Sequence, residues 1–146
     1  MRYSHIVFDI DNTLIDTTAA VLHSLQKALR EVTGEHREVW KLAPVLGIPG
    51  LQAFEMLGIQ SPELIFRIYP LWEKYMNSYQ HTAYVYEGIR PLLKYLKNEG
   101  YDLGIITSKT ASQYESTFVP FGIAGYFDQS TFAVFGLFIQ RPGAVF

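Results

Sequence analysis

The chain has 146 residues, 49% of them hydrophobic and 18% charged, with a formal net charge of −2, a composition that fits a folded globular protein and excludes a disordered one. Twelve Lys and Arg stand against fourteen Asp and Glu, so there is no cationic surplus for nucleic-acid binding by counterion release or for a basic membrane patch. The absence of cysteine rules out a disulfide framework, a thiolate zinc site and an iron–sulfur cluster, and makes a reducing compartment, the cytoplasm, the expected location.

The first apolar run, His5 to Phe8, ends at Asp9 and is too short for a signal-peptide core, so no export signal is expected. Its composition, followed by Asp9-Ile10-Asp11-Asn12-Thr13, predicts a buried parallel strand feeding a polar loop. Val21, Leu22, Leu25, Ala28, Leu29 and Val32 then recur at spacings of three and four, with Asp16, Thr17 or Thr18 as N-cap and Gly34 past the end, which predicts an amphipathic helix. A second helical piece runs from Arg37 to Leu42 and stops at Pro44; after Gly47-Ile48-Pro49-Gly50 a third covers Leu51 to Leu57. Ser61 and Pro62 open another, and Pro70 predicts that it is kinked or divided in two.

Between Thr17 and about Thr82 the sequence therefore predicts helices only. A helix through Leu92, Leu93, Tyr95 and Leu96 then closes at Asn98-Glu99-Gly100. Tyr101 to Thr107 reads as a strand, Thr110 to Phe118 as a weaker helix and Tyr126 to Phe135 as a third strand. This order predicts an α/β fold, a partial doubly wound parallel sheet with a helical module inserted after its first strand. The longest apolar run, Phe132 to Ile139, is far below the roughly 20 residues of a membrane span, so no membrane association is expected.

Asp9 and Asp11 stand two residues apart at the carboxyl end of the first strand, the end where open parallel sheets bind ligands. Side chains at i and i+2 of an extended segment face one side. Two like charges this close cannot both ionise freely, so one pKa is expected to rise, giving one group suited to attack and one to proton donation. That pairing fits phosphoryl transfer with Mg²⁺, which is held by one or two carboxylates with phosphate oxygens and water completing its shell. A calcium loop does not fit, because counting from Asp9 puts Leu14 where glycine is needed and Ala20 where glutamate is needed. A second cluster, Thr107-Ser108-Lys109, follows the second predicted strand. A hydroxyl there can donate to a phosphoryl oxygen, and the backbone amides and Lys109 add positive potential; read alone, Thr-Ser after a strand is equally a helix cap.

The remaining candidates have structural readings. His5, His23, His36 and His81 show no zinc spacing. No Walker loop, Gly-x-Gly-x-x-Gly or nucleophile elbow is present. The aromatic stretch Tyr69, Trp72, Tyr75, Tyr79, Tyr84 and Tyr86 reads as core packing before substrate stacking.

Together Asp9-x-Asp11-x-Thr13, Leu103-Gly104-Ile105-Ile106-Thr107-Ser108-Lys109, Glu87-Gly88-Ile89, Gly122-Ile123 and Tyr126-Phe127-Asp128 resemble the haloacid dehalogenase-like hydrolase superfamily. Within it they resemble the phosphoglycolate-phosphatase-like members with a helical cap. The resemblance covers about Tyr3 to Asp128. It implies residues 1–16 with 83–146 as the catalytic core and residues 17–82 as a cap that selects the substrate. It also implies Asp9 as nucleophile of an aspartyl-phosphate, Asp11 as general acid and base, and a phosphate site drawn from Asn12, Thr13, Thr107, Ser108 and Lys109. Mg²⁺ would be held by Asp9 and the Asp11 backbone carbonyl, and the substrate would be a small phosphorylated metabolite. Asp11 argues against dehalogenation, since dehalogenating relatives lack that carboxylate. A sugar phosphomutase, and an inactive binding module on the same fold, are the alternatives.

The carboxyl-terminal end departs from the family pattern. Members continue with a lysine, often before proline, and with one or two aspartates that complete the magnesium site. After Asp128 this sequence has no Asp, Glu or Lys, and only Arg141-Pro142 falls near the lysine-proline position. A truncated or frame-shifted ending is the expectation that follows. The charge-free run Phe132 to Ile139 is an aggregation hazard at a sheet edge, and an open edge leaves room for a homodimer.

Overall fold

The computed structural model describes residues 4–134 and 137–140, and for 131–134 and 137–140 the backbone alone. In chain order the elements are β1 (His5–Phe8), β2 (Ile15–Asp16), α1 (Thr18–Thr33), α2 (Val39–Leu42), α3 (Gly50–Met56), α4 (Pro62–Tyr79), β3 (Tyr84–Val85), α5 (Ile89–Asn98), β4 (Asp102–Thr107), α6 (Ala111–Thr117), β5 (Gln129–Val134) and β6 (Leu137–Gln140), with short 3₁₀ turns between some of them. The chain divides into two compact units, Met1–Asp16 with Tyr84–Phe146, and Thr17–Ala83.

The first unit is built on a four-stranded sheet in the order β1-β4-β5-β6. Strands β1 and β4 run parallel with His5 opposite Asp102 and Phe8 opposite Ile105. Strand β5 continues the parallel set, with Gly104 opposite Gln129 and Thr107 opposite Phe132. This register brings the carboxyl ends of β1 and β4 side by side, which fixes where the site lies. Strand β6 turns back antiparallel to β5, a hairpin the sequence reading did not contain. Arg141-Pro142, singled out above as standing near the family's lysine-proline position, lies outside the described residues.

Alternation along the strands gives the sheet two unlike faces. Leu103 and Ile105 are 1% exposed and pack in a core with Ile10, Leu14, Leu93, Leu96, Tyr114 and Phe118 among its buried members, whereas Val7 and Ile106 are 55% and 49% exposed. Helices α5 and α6 supply Leu93, Leu96 and Tyr114 to that core. A two-residue ladder pairs Ile15 with Val85 and Asp16 with Tyr84, and the Tyr84 hydroxyl donates to Asp16 Oδ2 at 3.0 Å.

The second unit is helical throughout. Leu22, Leu25, Ala28 and Leu29 of α1 are buried with Leu42, Val45, Ala53, Phe54, Ile59 and Ile68. Gly34 ends α1 in the left-handed region at φ 72°, its amide bonding to the Arg30 carbonyl, as a helix-terminating glycine does. Ser61 caps α4 by accepting from the Leu64 amide. Pro70 neither divides nor ends α4, which runs as one helix from Pro62 to Tyr79. The inward residues Ile65, Tyr69, Trp72 and Tyr75 pack against the α1 core, and that burial offsets the missing backbone hydrogen bond. The helix α2 ends at Leu42, as expected from Pro44, which sits inside the 3₁₀ turn Ala43–Val45 that follows.

Candidate active site

All seven residues singled out from the sequence lie in the α/β unit, on the loop after β1 and at the end of β4 and the turn that follows it. The first loop is wound around one carbonyl. Ile10, fully buried, accepts at its backbone oxygen from the amides of Thr13, Leu14 and Ile15 at 3.3, 3.0 and 3.1 Å, while the Asn12 amide donates to the Ile15 carbonyl at 2.7 Å. Closing so tight a loop puts Asn12 at φ 59°, a left-handed conformation that asparagine tolerates better than most side chains. Asp11 bridges to Ile15, and the Tyr86 amide donates to the Leu14 carbonyl at 3.2 Å. Asp9 is thereby left at the strand end and solvent-accessible, Asp11 is turned partly inward, and Asn12 and Thr13 stand exposed at the loop surface.

The second turn is equally constrained. Thr107, 2% exposed, ends β4, and its Oγ1 accepts from the Lys109 amide at 3.3 Å. Ser108 is half-buried. Thr110 and Gln113 then form a reciprocal capping box at the start of α6, with bonds of 2.9 and 3.2 Å, which satisfies the Thr110 and Gln113 amides where the turn enters the helix. Between the two loops, Lys109 Nζ lies 3.0 Å from Asp11 Oδ1, with the two side chains 8% and 15% exposed. The sequence reading treated Lys109 as a source of positive potential and did not join it to Asp11.

The expectation that one carboxylate of the pair titrates high meets a specific outcome, because the raised member is Asp9. Loss of water around its carboxyl is the largest cause; the Ile10 backbone hydrogen bond opposes it, the Asp11 charge adds to it, and Lys109 again opposes it. The resemblance gives Asp9 the attacking, ionised role, so a cation beside it is needed to favour the charged form. Among the described residues no group of three or more His, Asp and Glu gathers as a metal cage. The Asp9 carboxylate with the Asp11 carbonyl is nonetheless a donor set of the size Mg²⁺ uses, since that ion retains several waters and takes substrate phosphate oxygens.

Asp128, quoted above only as part of a motif, works as an anchor. Its carboxylate accepts from the Leu103 amide at 2.9 Å and from Lys97 Nζ at 2.8 and 2.9 Å, and its own amide donates to the Leu103 carbonyl at 2.8 Å. The Lys97 ammonium first, and the Leu103 amide second, hold its pKa below the ordinary carboxylate value. In the helical unit Phe54, Tyr69 and Trp72 meet edge to face, with ring centroids 5.6 to 6.3 Å apart, which is core packing.

The sequence matches the haloacid dehalogenase-like hydrolase family over residues 6–134. It is 28% identical to the pyrophosphatase PpaX of Bacillus velezensis over 129 residues, covering 87% of this chain and 58% of that protein. It is 29% identical to a 5'-nucleotidase of Pseudomonas aeruginosa over 110 residues, covering 75% of this chain and 50% of that protein. The fold superposes on the crystal structure of a predicted phosphatase from Clostridium acetobutylicum with a TM-score of 0.81 at 25% identity, covering 90% of this chain and 61% of that one. The chain thus spans 50 to 61% of the length of these relatives. A match over residues 6–134 takes in both carboxylates, the β4 turn and the whole helical insert, and the chain belongs to the haloacid dehalogenase-like hydrolases.

Proposed function

We propose that the protein is a Mg²⁺-dependent phosphatase that hydrolyses a small phosphomonoester through an aspartyl-phosphate on Asp9. The observation that carries this reading is the convergence, at the carboxyl ends of two paired parallel strands, of Asp9, Asp11, Thr107 and Lys109. The relatives whose names specify pyrophosphatase and 5'-nucleotidase activity support phosphate-ester or anhydride chemistry as the class.

In this reading an Asp9 carboxylate oxygen attacks phosphorus, the bond to the ester oxygen breaks, and that oxygen takes a proton from the Asp11 carboxyl. Asp11, now ionised, removes a proton from the water that attacks the aspartyl-phosphate, releasing inorganic phosphate and restoring Asp9. Thr107 uses its oxygen to accept from the Lys109 amide and keeps its hydroxyl hydrogen for a phosphoryl oxygen. The exposed loop residues Asn12 and Thr13, with Ser108, complete the phosphoryl site; Lys109, expected from the sequence to join them, has its ammonium on Asp11 instead. Mg²⁺ held by the Asp9 carboxylate and the Asp11 carbonyl would offset the repulsion between nucleophile and phosphate. The helical unit is proposed to choose the substrate. A cysteine-free composition supports a cytoplasmic setting. A homodimer is supported by β1, which among the described residues has β4 as its sole strand neighbour and so presents an open edge.

The test is hydrolysis of an aryl phosphate by the purified protein with and without Mg²⁺, beside Asp9→Asn. Metal-dependent turnover that the substitution lowers by at least about 1,000-fold is expected for loss of a nucleophile. A fall of less than about tenfold removes Asp9 from that role.

A further inference from the structure

Lys109 and Asp11 are each held from behind. On one side the Lys109 amide is tied to Thr107 Oγ1 at 3.3 Å, and the next residue opens the Thr110–Gln113 capping box. On the other side Asp11 follows the buried Ile10, whose carbonyl gathers three amides. The contact between them is 3.0 Å from Nζ to Oδ1, with the lysine side chain 8% exposed. An ammonium this deeply placed needs a countercharge, and the loop geometry supplies it from one defined carboxylate oxygen.

We propose that Lys109 is the positioning residue for Asp11: its ammonium holds the carboxylate by Oδ1 so that proton transfer to and from the reacting oxygens is made from one rotamer. The inference rests on the phosphatase reading for the role of Asp11, and it assigns Lys109 a task apart from direct phosphate binding. A few tenths of an ångström of misplacement matters in such a step, because the proton must travel within hydrogen-bond reach of the leaving oxygen.

The experiment compares the parent with Lys109→Met on two substrates. An alkyl phosphate expels an alkoxide that needs the Asp11 proton, whereas 2,4-dinitrophenyl phosphate expels a stable phenolate that does not. Lys109→Met is expected to lower kcat on the alkyl ester at least about tenfold with KM within about threefold, and to leave the first burst of dinitrophenolate within about threefold. Equal losses on both substrates, or a rise in KM alone, would overturn the proposal.

Lys109→Met removes the ammonium from a partly buried carboxylate and can fail to fold, whereas Asp11→Asn/Lys109→Met removes both charges together. With inorganic phosphate and Mg²⁺ in a calorimeter, Asp11→Asn and the double variant are expected to bind within about threefold of each other. A further tenfold loss in the double variant would show that the lysine touches phosphate itself, contrary to the proposal.

A third reading needs no turnover. NMR couplings across the Asp11 χ1 bond should report one rotamer in the parent and an average over rotamers in Lys109→Met; one rotamer in both overturns the proposal. An inactive parent, or an active Asp9→Asn, counts against the phosphatase reading instead, and leaves the couplings to decide the role of Lys109.

Discussion

At the scale of single residues, the carboxylates of the α/β unit divide by what stands beside them. Asp9 loses water at a strand end and faces Asp11, so its pKa rises; Asp128 gains Lys97 and the Leu103 amide, so its pKa falls. A depressed folded pKa means that Asp128 contributes stability that is present above its unfolded value, near pH 4, and is lost as pH falls through the lower folded value. Its side chain is 43% exposed, so screening limits what the ion pair contributes. Asp128→Asn is expected to cost about 1 kcal/mol at pH 7 and to have less effect as the pH is lowered below about 3. Urea titrations at the two pH values check this; an equal cost at both would contradict it.

Why Asp11 and Lys109 meet was not legible from the residues. Both were picked out by type and position, yet their pairing depends on the β1–β4 register and on the tight winding about Ile10, neither of which leaves a mark in composition or spacing. The role of Asp128 was hidden for the same reason, since its partners Lys97 and Leu103 are brought to it by the return from α5 into β4.

At the scale of elements, residues with strong local physics were readable and those that depend on packing were not. The strand from His5 to Phe8 and the helix closed by Gly34 follow from a short apolar run and from helical spacing with a terminating glycine. The strand is not buried as expected, however: His5 and Val7 are exposed and Ile6 and Phe8 half-buried, because one face of the sheet is open. The ladder of β2 with β3 is two residues long, too short to show a period. Whether α4 continues past Pro70 was left open between a kinked and a divided helix, because Pro70 carries a strong local signal against continuity while the opposing packing comes from α1.

That competition can be measured. Pro70 is exposed, so Pro70→Ala removes little contact and restores a backbone donor. It is expected to stabilise the protein by about 1–2 kcal/mol, the helix-interior cost of proline less the unfolded-chain entropy it removes. Denaturant unfolding with no gain would contradict this account of α4.

Gly50 at the start of α3 gives the opposite sign. A Cβ built there would lie 2.5 Å from Tyr69 Cε2, and Tyr69 packs edge to face on Phe54 and Trp72. Helix propensity alone predicts that Gly50→Ala gains up to about 1 kcal/mol. The close approach predicts a loss of about 1–3 kcal/mol, and the direction of the shift in unfolding midpoint separates the two.

At the scale of the whole molecule, the chain is an α/β unit that carries every candidate site residue at or just beyond the carboxyl ends of β1 and β4, with a helical unit inserted between Asp16 and Tyr84. The α/β class was legible because the order of strand, helices, helix, strand, helix and strand permits few topologies. The antiparallel β6 was not, since a charge-free apolar run does not reveal which neighbour it will pair with. The sheet is also unequally covered. Leu103 and Ile105 are buried on one face while Val7 and Ile106 lie open on the other, in contrast to the two covered faces usual for parallel sheets.

The claim on which the functional account turns is that Asp9 forms a covalent bond to phosphorus. The direct measurement is to mix the protein with an aryl phosphate and Mg²⁺, quench within the first turnover, reduce with borohydride, and locate the reduced side chain by peptide mass spectrometry. Reduction confined to Asp9, absent from Asp9→Asn and sparing Asp11, is the predicted result. Reduction at another residue, or no reduced residue in a folded sample, would contradict the account.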